Sequence, residues 1–115
     1  MNTLRDRTKV FAKEIIRFCV SLPQTDEARV IKRQLLRSGT SPGAHCREAF
    51  RSRSNAEMIS KLDTALQELD ESVYWMELLI DTEIAPARRL QPLMQEADEL
   101  IAIAVASVRT IKRRR

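Results

Sequence analysis

Turn-formers are scarce in this chain. Its 115 residues include two glycines and four prolines. A sandwich or barrel needs a turn about every 8–12 residues, so an all-β architecture is excluded. Aromatics are equally few, with three Phe, one Trp and one Tyr, and the core must therefore be built from Leu, Ile, Val, Ala and Met. No uncharged apolar run reaches the roughly 18 residues of a membrane span. The first apolar stretch is broken by Lys9, Lys13, Glu14 and Arg17, unlike a secretory leader. Two cysteines, Cys19 and Cys46, without secretory context read as reduced thiols, which places the expected location in the cytoplasm and off the membrane. The length suits one domain over residues 1–115, large enough to bury a core without metal or disulfide.

Charge is abundant and arranged in blocks. The net charge is only +4, but residues 29–53 carry Arg29, Lys32, Arg33, Arg37, Arg47, Arg51 and Arg53 against Glu48 alone, a balance of +6. Residues 54–84 carry eight acids against Lys61, a balance of −7. Arg109, Lys112, Arg113, Arg114 and Arg115 make the end of the chain basic again.

Apolar periodicity predicts four helices. Leu4, Phe11, Ile15, Phe18 and Leu22 share one face of a helix over about 3–21, which Leu22-Pro23 ends. Asp26 is the expected N-cap of a second helix over about 27–51. Its Ser38–Ala44 stretch reads either as a loop or as a kinked part of one helix. Continuity is favoured, because Ile31, Leu35, Ser38, Pro42, His45 and Ala49 keep helical spacing across it. Ser54-Asn55-Ala56-Glu57 is a capping box for a third helix over about 55–81. There Ile59, Leu62, Leu66, Leu69, Val73, Met76 and Ile80 alternate steps of three and four, the pattern of bundle packing, and Trp75, Leu79 and Ala65 widen that face. The fourth helix is expected over about 87–112, starting near Pro86 or at Pro92, with Leu93, Ala97, Leu100, Ala104, Val108 and Ile111 on its inner face. Four helices with short links imply an all-α, antiparallel up-down-up-down bundle.

Catalytic constellations fail on geometry. His45 and Cys46 are neighbours, so on a helix they point roughly 100° apart and cannot act as a nucleophile pair. A zinc site needs three or four ligands, and HExxH and paired-Cys motifs are missing. Gly39 and Gly43 lack the Gly-Lys-Ser/Thr ending and the preceding strand of a phosphate loop. The helix 3 acids lack the second histidine of a di-metal bundle. The expectation is a protein without catalysis, metal or cofactor.

One basic feature survives. On a continuous helix 2, Arg29, Arg33, Arg37, Arg47 and Arg51 fall within a wedge of about 80° opposite Ile31 and Leu35. Such a stripe can track a phosphate backbone, joined by Arg109, Lys112 and Arg113. It can equally pair with acidic helix 3 of the same or a neighbouring subunit. No aromatic interleaves with the arginines, so base stacking is not expected. Tyr74 and Trp75 invite a subunit contact, or Trp75 simply completes the core. Opposite charge on different helices suits a head-to-tail ring.

Gln34-Leu35-Leu36-Arg37-Ser38, Ser41-Pro42-Gly43-Ala44, Glu48-Ala49, Ser54 and Glu57, Lys61, Ala65-Leu66, Glu68, Glu71 and Tyr74-Trp75 together resemble the four-helix bundle proteins of the 23S rRNA intervening-sequence family. The accessory variability determinant proteins of diversity-generating retroelements are similar to these. The likeness spans roughly residues 8–112. It implies a bundle assembled as a five-fold (pentameric) ring with a basic surface. For the retroelement branch it further implies RNA or DNA and a reverse transcriptase as partners; for the ribosomal branch it implies only a reading frame within an rRNA insert. The sequence departs from the usual pattern at Pro42, where a branched aliphatic is common, and at His45, where Asn is common, so no role is carried over to that turn.

Overall fold

The structure, a computed structural model, describes residues 3–114. Four helices, α1 (Leu4–Val20), α2 (Asp26–Ala49), α3 (Asn55–Asp81) and α4 (Ala87–Arg113), form an antiparallel bundle with extents of 49 × 23 × 20 Å. Each packs on its chain neighbours, and α4 closes back onto α1 across a thinner seam.

Local chemistry sets the helix starts. Thr3, Thr25 and Ser54 are extended residues whose hydroxyls accept from the backbone N–H of Asp6, Ala28 and Glu57. Thr25 therefore takes the capping role the sequence assigned to Asp26. The one-residue shift puts both Asp26 and Glu27 in the first turn, where carboxylates meet the positive end of the helix dipole. The capping box at Ser54 is formed on its hydroxyl side, Ser54 Oγ lying 3.1 Å from the Glu57 N–H. Pro86 caps α4, and Pro92 lies within it. Pro92 gives up a bond to the Arg88 carbonyl, and both residues are exposed, so water can satisfy that oxygen.

α2 runs unbroken through Ser38–Ala44. Pro42 is buried inside it, and the Thr40 and Ser41 hydroxyls donate back to the carbonyls of Leu36 and Arg37 at 2.6 and 2.7 Å. The glycines permit close approach to α1: a Cβ on Gly39 would lie 2.8 Å from Ile15 Cγ2 and 3.2 Å from Ile15 Cβ. One on Gly43 would meet the Thr8 carbonyl at 3.4 Å, an ordinary contact. Opposite outcomes are expected for the two alanine variants. Gly39→Ala should lose about 1 kcal/mol net, because overpacking outweighs the gain in helix propensity. Gly43→Ala should hold or gain up to about 1 kcal/mol. Urea denaturation of the pair checks this, and equal effects would contradict the packing account.

The core is aliphatic, centred on Ile15, Leu35, Leu62, Leu69, Met76, Leu79, Leu90 and Leu100, with Phe11 and Phe18 from α1. Its main polar feature is a buried hydrogen bond between the Ser38 and Ser72 hydroxyls at 3.0 Å, which fastens α2 to α3. The thinner α1–α4 seam is clamped by Arg7, whose guanidinium binds Glu96 through two donors, at 2.6 and 3.1 Å, and Glu99 at 3.0 Å. Arg89 covers the lower part of that seam, stacking over the Phe18 ring at 5.3 Å and donating to Ser21 Oγ at 2.8 Å. Among the described residues, no helix is long and apolar enough to cross a membrane.

Candidate nucleic-acid interface

The up-down topology sorts charge by position. It places the N-termini of α1 and α3 and the C-termini of α2 and α4 at one end of the bundle. Arg47 and Arg51 at the end of α2 thereby join Arg109, Lys112 and Arg113 at the end of α4, all of them exposed. Arg29 and Arg33 lie towards the other end, since a rise of about 1.5 Å per residue separates Arg33 from Arg47 by about 21 Å.

The arginine wedge faces outward, but its members differ in what they touch. Arg29 pairs with Asp26 of its own helix at 3.4 Å. Arg37 reaches across to α3 and binds the Glu71 carboxylate, which also accepts from Trp75 Nε1 at 3.0 Å. Arg33, Arg47 and Arg51 have no ion-pair partner among the described residues. The stripe thus divides by contact: Arg37 serves the α2–α3 contact within the subunit, while Arg33, Arg47 and Arg51 are exposed without an ion pair among the described residues.

Two cations that sequence reasoning passed over complete the surface. Arg5 and Lys9 of α1 line one wall of an open groove of about 410 Å³, and Arg47 and Arg51 line the other. The floor is small side chains, Ala12, Thr40, Gly43 and Ala44. Glu48 is the one acid in this groove, and Lys61 of α3 engages it at 2.7 Å, holding its carboxyl below the usual range. In α1 the signs alternate, as Arg5, Asp6, Arg7 and Lys9, so the sequence shows no local excess. Packing decides their fates: Arg7 turns to α4, whereas Arg5 and Lys9 face the groove.

Phe50 is a second residue the sequence reading missed. It caps α2, is 46% exposed, and lines a depression with Arg5 on one side and another with Arg114 on the other. An aromatic is therefore set among the cations after all. The available signal was its place beside Arg51 and off the apolar stripe. Tyr74 is half-exposed, while Trp75 packs against the core, its ring edge-on to Tyr74 at 5.0 Å.

The nucleophile candidates point apart. His45 Nδ1 lies 2.8 Å from Glu68 of α3, whereas Cys46 is fully buried with the Thr8 hydroxyl of α1 beside it. Burial pushes both the Cys19 and Cys46 thiols up to about 11. Neither thiol should react with a thiol-specific disulfide reagent at pH 8 in the folded protein, and both should react once denaturant unfolds it, where the ordinary value is about 8.5. Rapid native labelling of either would contradict the burial.

These surfaces sit on a recognisable scaffold. The family model for the 23S rRNA-intervening sequence protein matches residues 2–106. The crystal structure of a protein with unknown function from the S23 ribosomal protein family, from Bacteroides thetaiotaomicron, is 34% identical at TM-score 0.87, covering 92% of this chain and 98% of that one. No curated protein matches the chain. The match runs through all four helices, and the chain belongs to the 23S rRNA-intervening sequence protein family.

Proposed function

We propose that the protein is a non-catalytic accessory protein that binds the sugar-phosphate backbone of RNA or DNA through the basic end of the bundle. The observation that carries this reading is the α1–α2 groove, where Arg5, Lys9, Arg47 and Arg51 converge and the one acid is already engaged by Lys61. Four cations around a floor of small residues suit consecutive phosphates, which attract Lys and Arg without regard to base identity. Arg33 extends the track along α2, and Arg109, Lys112 and Arg113 widen it at the basic end. Filter binding at low salt with labelled RNA and DNA oligonucleotides tests it. Retention of either is expected, and no retention of both sinks the reading.

A second reading, self-assembly, is favoured by the polarity of the surface. Exposed Tyr74 on α3 is flanked in sequence by Asp70, Glu77 and Asp81, all exposed, on the helix that carries the acidic block. The basic face of a second copy complements it, and head-to-tail repetition closes a ring. Light scattering is expected to give a pentamer mass. A monomer mass would remove the ring, without touching the groove.

A further inference from the structure

Phe50 has a setting that packing alone does not explain. α2 ends at Ala49, so the ring escapes the helix's buried face and stands at the basic end, 46% exposed. Its backbone N–H is satisfied by the Cys46 carbonyl at 3.1 Å, which fixes where the ring emerges. On one side lie Thr3, Arg5 and Asp6; on the other lie Met58, Ile111 and Arg114. Arg5 also lines the α1–α2 groove, together with Arg51, the residue after Phe50. The groove and the ring are therefore continuous around one guanidinium.

Resting on the nucleic-acid reading above, we propose that Phe50 is a stacking platform for an unpaired nucleobase, so that the strand held in the groove is single-stranded where it passes the end of the bundle. The geometry supplies both things such a strand needs. Arg5 of α1, Arg51 just past α2 and Arg114 at the C-cap of α4 face the phosphates, and the ring between them offers a flat apolar surface. Bases in a duplex are already stacked and paired, so they cannot use it. An exposed base has a π face whatever its identity, and the platform therefore selects strandedness rather than sequence. Charge also argues for this occupant over an apolar protein segment, because Asp6 is the only carboxylate beside the ring in either depression.

The test compares Phe50→Ala with the wild type on a single-stranded 12-nucleotide RNA and on a blunt duplex of the same sequence, by fluorescence anisotropy. The variant is expected to bind the single strand about 10-fold more weakly, the loss of one stacked base. The salt dependence should stay unchanged because no cation is removed, and duplex affinity should be unaffected. Phe50→Trp should keep or raise single-strand affinity. A 2-aminopurine placed in the strand should change its emission on binding wild type but not on binding Phe50→Ala. Thermal melts confirm that both variants fold. Equal loss on both substrates, or loss on neither, overturns the platform while leaving the backbone-binding reading intact. A change in mass by light scattering in Phe50→Ala shows that the ring covers a protein contact, and also overturns it. Failure of the wild type to bind either substrate removes the underlying reading and the platform with it.

Discussion

Replacing Arg47 and Arg51 together by glutamate is expected to reduce affinity for single-stranded RNA or DNA by about 100-fold at 0.1 M salt while leaving the bundle folded. Losing two phosphate contacts accounts for about 25-fold, from a slope of roughly 0.7 per contact on single strands. The two new carboxylates then repel the same phosphates. Folding should survive because both side chains are exposed and neither has an ion-pair partner among the described residues, and surface substitutions of this kind usually shift stability by within about 0.5 kcal/mol. Arg37→Glu is the informative contrast. It opposes Glu71 across the α2–α3 seam, so it should lower stability more than it lowers binding. The pair of measurements, anisotropy for binding and urea denaturation for stability, separates arginines that serve a ligand from those that serve the fold. Equal binding loss in both variants would contradict this division of labour among the arginines.

Leu69→Ala is expected to be the most damaging single truncation of the bundle, costing about 2–5 kcal/mol. Leu69 is wholly buried at the middle of α3, where α2 and α4 pack on either side, and its removal leaves a cavity that rigid helices cannot close. Asp70→Ala, one residue along and exposed, should shift stability by less than about 0.5 kcal/mol. A midpoint for Leu69→Ala close to that of Asp70→Ala would show that α3 is not the centre of the core.

The bundle was legible because α3 and α4 carry long uninterrupted apolar stripes and the turns between helices are short. Even so, the α3 stripe read from sequence is rotated from the one that is buried. Ile59, Leu66, Val73 and Ile80 are only partly buried, whereas Ala65 and Leu79, which the sequence places on the widened edge of that face, are wholly buried, as is Ser72, which the apolar pattern passes over. The shift has a physical cause. Ala65 and Ser72 are small enough to let α2 close on that flank, and Ser72 finds a partner in Ser38, so a polar residue is at home in the core. Periodicity in apolar residues cannot register that.

The candidate site was legible by halves. Outward-facing arginines on α2 follow from helical geometry once the helix is continuous. Their sorting does not, because whether an arginine meets a carboxylate depends on the register between helices. Arg37 falls opposite Glu71, whereas Arg33, Arg47 and Arg51 do not fall opposite an acid. Arg5, Lys9 and Phe50 were missed for the same reason: each enters the surface only through the packing of α1 against the end of α2. Pro42, which departs from the usual family pattern, leaves α2 unbroken. The proline removes the N–H that would bond the Ser38 carbonyl, and its ring is buried within the helix; the Thr40 and Ser41 hydroxyls bond the Leu36 and Arg37 carbonyls in the preceding turn.

On the proposed function, a patch of cations and not a pocket of specific contacts defines what the protein binds. The dependence of affinity on salt measures it most directly. With Arg5, Lys9, Arg33, Arg47, Arg51, Arg109, Lys112 and Arg113 engaged, the logarithm of the association constant for single-stranded RNA should fall against the logarithm of salt with a slope of about −5.6, shrinking by about 1.4 in magnitude when Arg47 and Arg51 are removed. A slope near zero, or no binding even at the lowest salt, would contradict it.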